Sequence, residues 1–338
     1  MARKKGGGGG RQRARQRQQY DELDKYPVMP PHAFARIVRD KQTLNIIYQI
    51  IEPPLTKKEQ EQRDEIMDIF IRSLTANIEE IDSNPEAYVR TAMDKVIKSY
   101  SMKINKKSKS KLFYYLRRDL IGYGKMDVLM NDVNVEDISL DGTNVPIFAY
   151  HRKFESVETT CVWETDEELE SYVIKLAQRC GKHISVAEPL LDATLMDGSR
   201  IVMKLGHEIS TRGSAFCIRR FKDDPFSPAD IVAFRTMSSL MVAYLWIAFQ
   251  NEVPMLFVGG TASGKTTTLN AMCIFIPWQM KIVSIESTRE VNIPQPNWVP
   301  GLTRQGFGGE SDEGVIGEFE LLKAALRERP EYIIVGEI

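Results

Sequence analysis

The run Gly259-Gly260-Thr261-Ala262-Ser263-Gly264-Lys265-Thr266 fits G-x-x-x-x-G-K-[ST], a spacing that builds a phosphate cradle. Its glycines let backbone amides curl around phosphate oxygens, and the N-terminus of the helix behind it adds positive potential. In that frame Lys265 reaches the β- and γ-phosphates of a nucleotide and Thr266 ligates Mg²⁺. Thr267 continues the run into the helix. The implied ligands are ATP and Mg²⁺.

Two acidic segments suit the same chemistry. Tyr332-Ile333-Ile334-Val335-Gly336-Glu337 is an apolar strand with a carboxylate at its end. Open α/β sheets bind ligands beyond the carboxyl ends of their strands, so Glu337 is a candidate for the magnesium-water shell. A second strand, Lys281–Glu286, leads into Ser287-Thr288-Arg289-Glu290. Glu286 and Glu290 both contend for aligning or deprotonating an attacking water. A third group is Arg200, Arg212, Arg219 and Arg220. Guanidinium groups supplied by another domain or subunit stabilise phosphoryl transfer, although composition alone favours a solvated strand face here.

These residues need elements to hold them. Beyond Pro225 and Pro228 the pattern predicts helix 228–249, strand 254–259, helix 264–275, strand 281–286, helix 317–328 and strand 331–336. Such alternation specifies a parallel sheet with crossover helices, so residues 223–338 are expected to be an α/β P-loop NTPase domain. Residues 125–222 read as an α+β domain. It has a hairpin about Asp141-Gly142, a helix opened by a Thr165/Glu168 capping box, a hairpin of Leu191–Leu195 with Arg200–Leu205, and a strand over Ala215–Phe221. Residues 21–124 read as a helical, basic region, with a second capping box at Thr56/Glu59 and lysines at 103, 106, 107, 109 and 111. Residues 1–20 are a Gly/Arg-rich tail with nothing to bury, and disorder is expected there.

Composition sets the outer limits. The 338 residues are 43% hydrophobic, which excludes a collagen-like repeat and a wholly disordered chain. No apolar run reaches the ~20 residues of a membrane span. The longest, Met237–Phe249, is interrupted by Ser238 and Ser239 and reads as a buried helix. A glycine- and arginine-rich start is unlike a secretory signal. Four scattered cysteines and four isolated histidines argue for a reducing compartment and against a zinc site. Residues 1–118 hold 25 Lys+Arg against 15 Asp+Glu, and residues 119–338 hold 20 against 31. A basic front suits an anionic membrane surface, nucleic acid or an acidic partner, and equally a solvated tail and lysine-rich loop.

Phe257–Asn270 resembles the P-loop of the type II/type IV secretion and pilus-assembly ATPase superfamily. Ile285–Glu290 resembles the acidic box of its archaeal branch, which includes archaellum and archaeal pilus motor ATPases. Leu321–Ile338 is similar to the helix that leads into the family's atypical Walker B strand, with Glu337 in place of Asp. Glu188–Arg200 and Ser210–Ser214 resemble segments of its N-terminal domain. The resemblance covers about 125–338. It implies a RecA-like catalytic domain, with Arg200 and Arg212 facing the nucleotide and Arg219 or Arg220 less firmly placed.

It further implies a cytoplasmic homo-hexamer at the cytoplasmic face of the membrane, driving a polytopic membrane platform protein. Such a motor assembles a type IV pilus-like filament or powers type II-like secretion. The basic front would then meet anionic headgroups or the platform.

The family continues past Walker B, whereas this chain stops at Ile338. The resemblance thus implies a catalytic domain incomplete at its C-terminus. The chain would be a fragment, a half completed by a second polypeptide or by splicing, or a short protein that binds nucleotide poorly. Two rival functions follow. One is a conjugation-type nucleic-acid motor, disfavoured because the 103–111 lysines lack interleaved aromatics; no nucleic acid is expected as a partner. The other is a truncated regulatory subunit without turnover.

Overall fold

The computed structural model describes residues 19–73, 84–221, 225–260, 263–303 and 316–336. The chain divides into two compact units, at Arg220/Phe221.

The first unit is built on a nine-stranded sheet. It opens with an antiparallel meander of β1 (Tyr20–Met29), β2 (Ala33–Asp40) and β3 (Ile46–Ile51). Three helices follow: α1 (Lys57–Ser73), α2 (Pro85–Ser99) and α3 (Lys106–Leu120). A 3-10 turn at Gly124–Met126 and the short α4 (Asp127–Asn131) lead into β4 (Val135–Leu140), β5 (Pro146–His151) and β6 (Glu155–Val162). Helix α5 (Asp166–Arg179) precedes β7 (Leu190–Thr194), β8 (Arg200–Lys204) and β9 (Ala215–Arg219). The strand order is β1-β2-β3-β6-β5-β4-β9-β8-β7, and β3 with β6 is its parallel pair. Leu169, Val173, Leu176 and Ala177 of α5 bury one face against this sheet's core, with Trp163 and Phe216.

The meander corrects the helical reading of residues 21–124, whose first third is strand. In β2, Ala33, Ala35 and Ile37 are buried while Phe34 and Arg36 between them are half-buried, a period of two. Asp40 makes the turn after it, its carboxylate accepting the N–H groups of Gln42 (2.8 Å) and Thr43 (3.2 Å). The β-branched run Ile46-Ile47-Tyr48-Gln49-Ile50-Ile51 then pairs back. Tyr20 already lies in β1, so the tail expected over 1–20 is too long at its end, and residues 1–18 lie outside the described residues.

Further on, the helical reading holds. Thr56 and Glu59 close a reciprocal capping box, with bonds of 2.8 and 3.2 Å. Ile66, Phe70, Val89, Met93, Leu112 and Leu116 fill a three-helix core. The lysines at 106, 107, 109 and 111 sit inside α3. Leu74 and Ile78, which continue the helical spacing of Ile66, Ile69 and Phe70 in the sequence, lie outside the described residues. At Thr165 only half a capping box forms. Glu168 N–H donates to the Thr165 hydroxyl, but the Glu168 carboxylate pairs with Lys125 at 2.7 Å.

A buried polar network ties the meander to the rest of the sheet. Tyr26 and Tyr48 both donate to Asp132 Oδ2 at 2.7 Å. Lys153 N–H donates to His151 Nδ1 (3.1 Å), which leaves Nε2–H of the neutral ring to donate to the Tyr26 oxygen (3.0 Å). Asp132 is 1% and His151 2% exposed, so each buried polar tip has a partner.

The second unit contains α6 (Pro228–Ala233), α7 (Ser239–Gln250), α8 (Lys265–Cys273), β10 (Ile282–Glu286), β11 (Trp298–Leu302), α9 (Glu318–Ala325) and β12 (Tyr332–Val335). Its sheet runs β11-β10-β12, all parallel. The helix expected over 228–249 is two, because Arg235 takes a positive φ of 60° and Ser238 caps a new start.

Met237–Phe249 is also less buried than expected. Val242, Ala248 and Phe249 are covered, but Leu240 (81%), Tyr244 (73%) and Ile247 (62%) are exposed. The strand expected over 254–259 is not formed. Met255 and Phe257 pack on the core while Leu256 and Val258 face out, so the alternation is present without a ladder partner among the described residues. Strand β11, by contrast, lies in a stretch to which the pattern assigns no element, Pro300 and Gly301 breaking any strand signal; it is an edge strand, where proline is tolerated.

Candidate nucleotide site

The glycine-rich segment runs into α8 through Gly264, whose φ of 87° turns the chain sharply into the helix. The first intrahelical bond is Thr268 N–H to Gly264 C=O at 2.9 Å. The N–H groups of Lys265, Thr266 and Thr267 therefore open the helix with no intrahelical acceptor. A Cβ on Gly259 would stand 2.6 Å from Ser263 Oγ, so a side chain there would make that hydroxyl turn away. Around Gly260 there is open space. Lys265 folds back, and its ammonium donates to the carbonyls of Gly259 (3.0 Å) and Gly260 (2.9 Å). Thr266 is half-buried and Ser263 and Thr267 are exposed. Thr261, Ala262 and Glu337 lie outside the described residues. The remaining residues fit an anion: helix-end donors, a cation and a close glycine-lined turn.

The two acids of the β10 loop are in different environments. Glu286 ends β10 at 2% exposure, and its Oε1 accepts the N–H groups of Glu290 (2.9 Å) and Val291 (2.7 Å). Oε2 is buried without a hydrogen-bond partner among the described residues, and burial raises the acid's pKa above the usual carboxylate range. Gly336, just after β12, packs so closely that a Cβ there would stand 3.2 Å from Glu286 Cγ. Glu290 is exposed. Its backbone is fixed at both ends, because its carbonyl accepts Asn270 Nδ2–H at 2.8 Å. Arg289 lies over Phe221 (5.3 Å) and Trp298 (5.6 Å), pinning the same loop. The spacing of Glu286 and Glu290 gave no way to separate them; in the fold one is buried and the other exposed.

The arginines belong to the first unit. Arg200 pairs with Asp192 at 2.5 Å, and Arg219 with Asp137 at 3.3 Å. Arg220 is turned inward, donating to the carbonyls of Asp132 and Val135, which marks it as a structural group. Arg212 is exposed at a tightly held loop tip. Its carbonyl accepts Thr143 N–H at 3.0 Å, and a Cβ on Gly142 would collide with that carbonyl at 2.2 Å. His207 and Thr143 both bond Asp166 at the start of α5, which anchors the loop.

A glycine-rich turn running into α8, beside a parallel sheet whose central strand ends in a carboxylate, defines an α/β P-loop nucleotide-binding domain of RecA-like fold. Residues 156–338 match the family described as Type II/IV secretion system protein, and the chain belongs to that family. An uncharacterized protein of Methanocaldococcus jannaschii, MJ0900, is 36% identical over 318 residues, which is 93% of this chain and 56% of the relative. A second from that organism, MJ1287, is 50% identical over 111 residues, covering 33% of this chain and 40% of the relative. The type IV secretion system protein VirB11 of Bartonella henselae is 29% identical over 191 residues, covering 46% and 52%. The Legionella pneumophila ATPase DotB, a solved structure, aligns with a TM-score of 0.43 at 16% identity, over 63% of this chain and 58% of that one. The chain spans about half the length of the curated relatives it matches. Among the described residues, no helix is long and apolar enough to cross a membrane.

Proposed function

We propose that this chain is the nucleotide-binding part of a motor ATPase, hydrolysing ATP to ADP and phosphate to drive type IV pilus-like filament assembly or type II-like protein secretion. The observation that carries the reading is the Gly264–Lys265 entry into α8, with its helix-end donors and folded-back ammonium, in a chain of this family. Lys265 would exchange two carbonyl partners for phosphate oxygens, a gain of charge-assisted bonds. Mg²⁺ would be held by Thr266 and, through water, by Glu337, and would neutralise charge on the β- and γ-phosphates.

Of the two loop acids, Glu290 is the one we assign to the attacking water. Its carboxylate is exposed on a fixed backbone, whereas Glu286 spends Oε1 on holding that backbone. Arg200 and Arg212 are the candidates for supplying positive charge, and Arg212 suits the role better, being exposed at an anchored tip. The motor would work as a homo-hexamer on a polytopic membrane platform protein at the cytoplasmic face, with the basic N-terminal region against anionic headgroups. The kinship with VirB11 supports the secretion setting. Phosphate release from ATP by the purified full-length protein, with and without anionic vesicles and single-stranded DNA, tests the reading. Turnover raised by vesicles supports it; turnover raised by DNA alone favours a nucleic-acid motor.

A further inference from the structure

Asn270 lies one helical turn beyond Thr266 on the same side of α8, and its side-chain amide is used at both ends. Nδ2–H donates to the Glu290 carbonyl at 2.8 Å, and Oδ1 accepts Asn292 N–H at 3.0 Å. The two bonds bracket Val291, which is fully buried in the core of the second unit. From the opposite side, Glu286 Oε1 takes the N–H groups of Glu290 and Val291. Glu290 thus has its N–H committed to β10 and its C=O committed to α8, and only its carboxylate is left to move. Further along, Gln295 makes a separate tie to the far end of α8. It is 4% exposed, and its Nε2 donates to the carbonyls of Cys273 (2.9 Å) and Ile276 (3.1 Å).

We infer that Asn270 is a positioning residue for the hydrolytic reaction, fixing the backbone that carries the Glu290 carboxylate to the helix that carries Lys265 and Thr266. The inference rests on the ATPase reading given above. Two anchors with different duties follow from the geometry. Gln295 sews the loop to the body of the unit, and Asn270 registers the acid against the P-loop helix. Displacing a reacting group by about 1 Å costs on the order of 100-fold in rate, so a single amide clasp is enough to matter.

The test uses the full-length protein and three variants, Asn270→Ala, Asn270→Asp and Gln295→Ala. Asn270→Asp keeps the acceptor for Asn292 N–H but loses the donor to the Glu290 carbonyl. Both Asn270 variants are expected to lower kcat about 10- to 100-fold while KM and ATP affinity change less than about threefold. Gln295→Ala is expected to lower the unfolding temperature while kcat stays within about twofold of wild type. Amide hydrogen exchange at residues 290–292, read without nucleotide, checks the clasp independently of activity. Exchange at Asn292 should quicken at least about tenfold in Asn270→Ala. Unaltered exchange there, or quickened exchange with unaltered kcat, would overturn the inference. So would a kcat loss in Gln295→Ala equal to that in the Asn270 variants. A wild-type protein without any turnover would instead overturn the ATPase reading, and the positioning role with it.

Discussion

At the scale of single residues the site turns on where charge is free to act. Lys265 holds its ammonium against the Gly259 and Gly260 carbonyls, already at the mouth of the cradle. Lys265→Ala should therefore weaken ATP binding by about 100-fold, the weight of a charge-assisted bond, as read by titration with a fluorescent nucleotide. Affinity unchanged in that variant would place the phosphates elsewhere. The two loop acids should separate cleanly. Glu290→Gln should leave nucleotide affinity intact and abolish turnover. Glu286→Ala should instead destabilise the protein by about 1–3 kcal/mol in urea unfolding, because the N–H groups of Glu290 and Val291 lose their acceptor.

At the scale of elements, the helical bundle and the meander each depend on one buried carboxylate. Glu59 accepts Thr56 N–H and the Ser108 hydroxyl and faces Lys111, and these hold its pKa down to about 2. A depressed carboxyl adds stability that is present above its unfolded pKa of about 4.5 and is lost as pH falls towards 2. Glu59→Gln should flatten the acid limb of the unfolding curve over that window. In the meander, Asp132→Ala strips Tyr26 and Tyr48 of their common acceptor and should cost about 3 kcal/mol by urea unfolding.

The elements also show what was readable beforehand. Hairpins around Asp141-Gly142 and Asp197-Gly198, helix α5 and two of the three parallel strands, β10 and β12, follow from turn chemistry and period. The meander was hidden because β1 is rich in charge and β2 carries Arg36 and Arg39, so basic composition outweighed a short period-two signal. The glycine-rich loop was legible as a motif. Asn270 was not, since an asparagine four residues past Thr266 has meaning only once Glu290 and Asn292 are brought to it.

At the scale of the whole molecule, the candidate residues fall in two units: the candidate phosphate-binding donors in the second, the candidate arginines and the basic helices in the first. Lysines at 57, 58, 106 and 107 stand in the first turns of α1 and α3, where the helix dipole disfavours cations, a placement that suits an anionic surface. Co-sedimentation with vesicles containing anionic lipid should be strong at low salt and fall as ionic strength passes that of a ~10 Å Debye length. The most direct test of the central claim is steady-state phosphate release from ATP by the full-length protein beside its Glu290→Gln variant. The account predicts measurable turnover in the wild type and, in the variant, tight ATP binding with turnover abolished. Equal turnover in the two proteins, or none in a wild type that binds ATP, would contradict it.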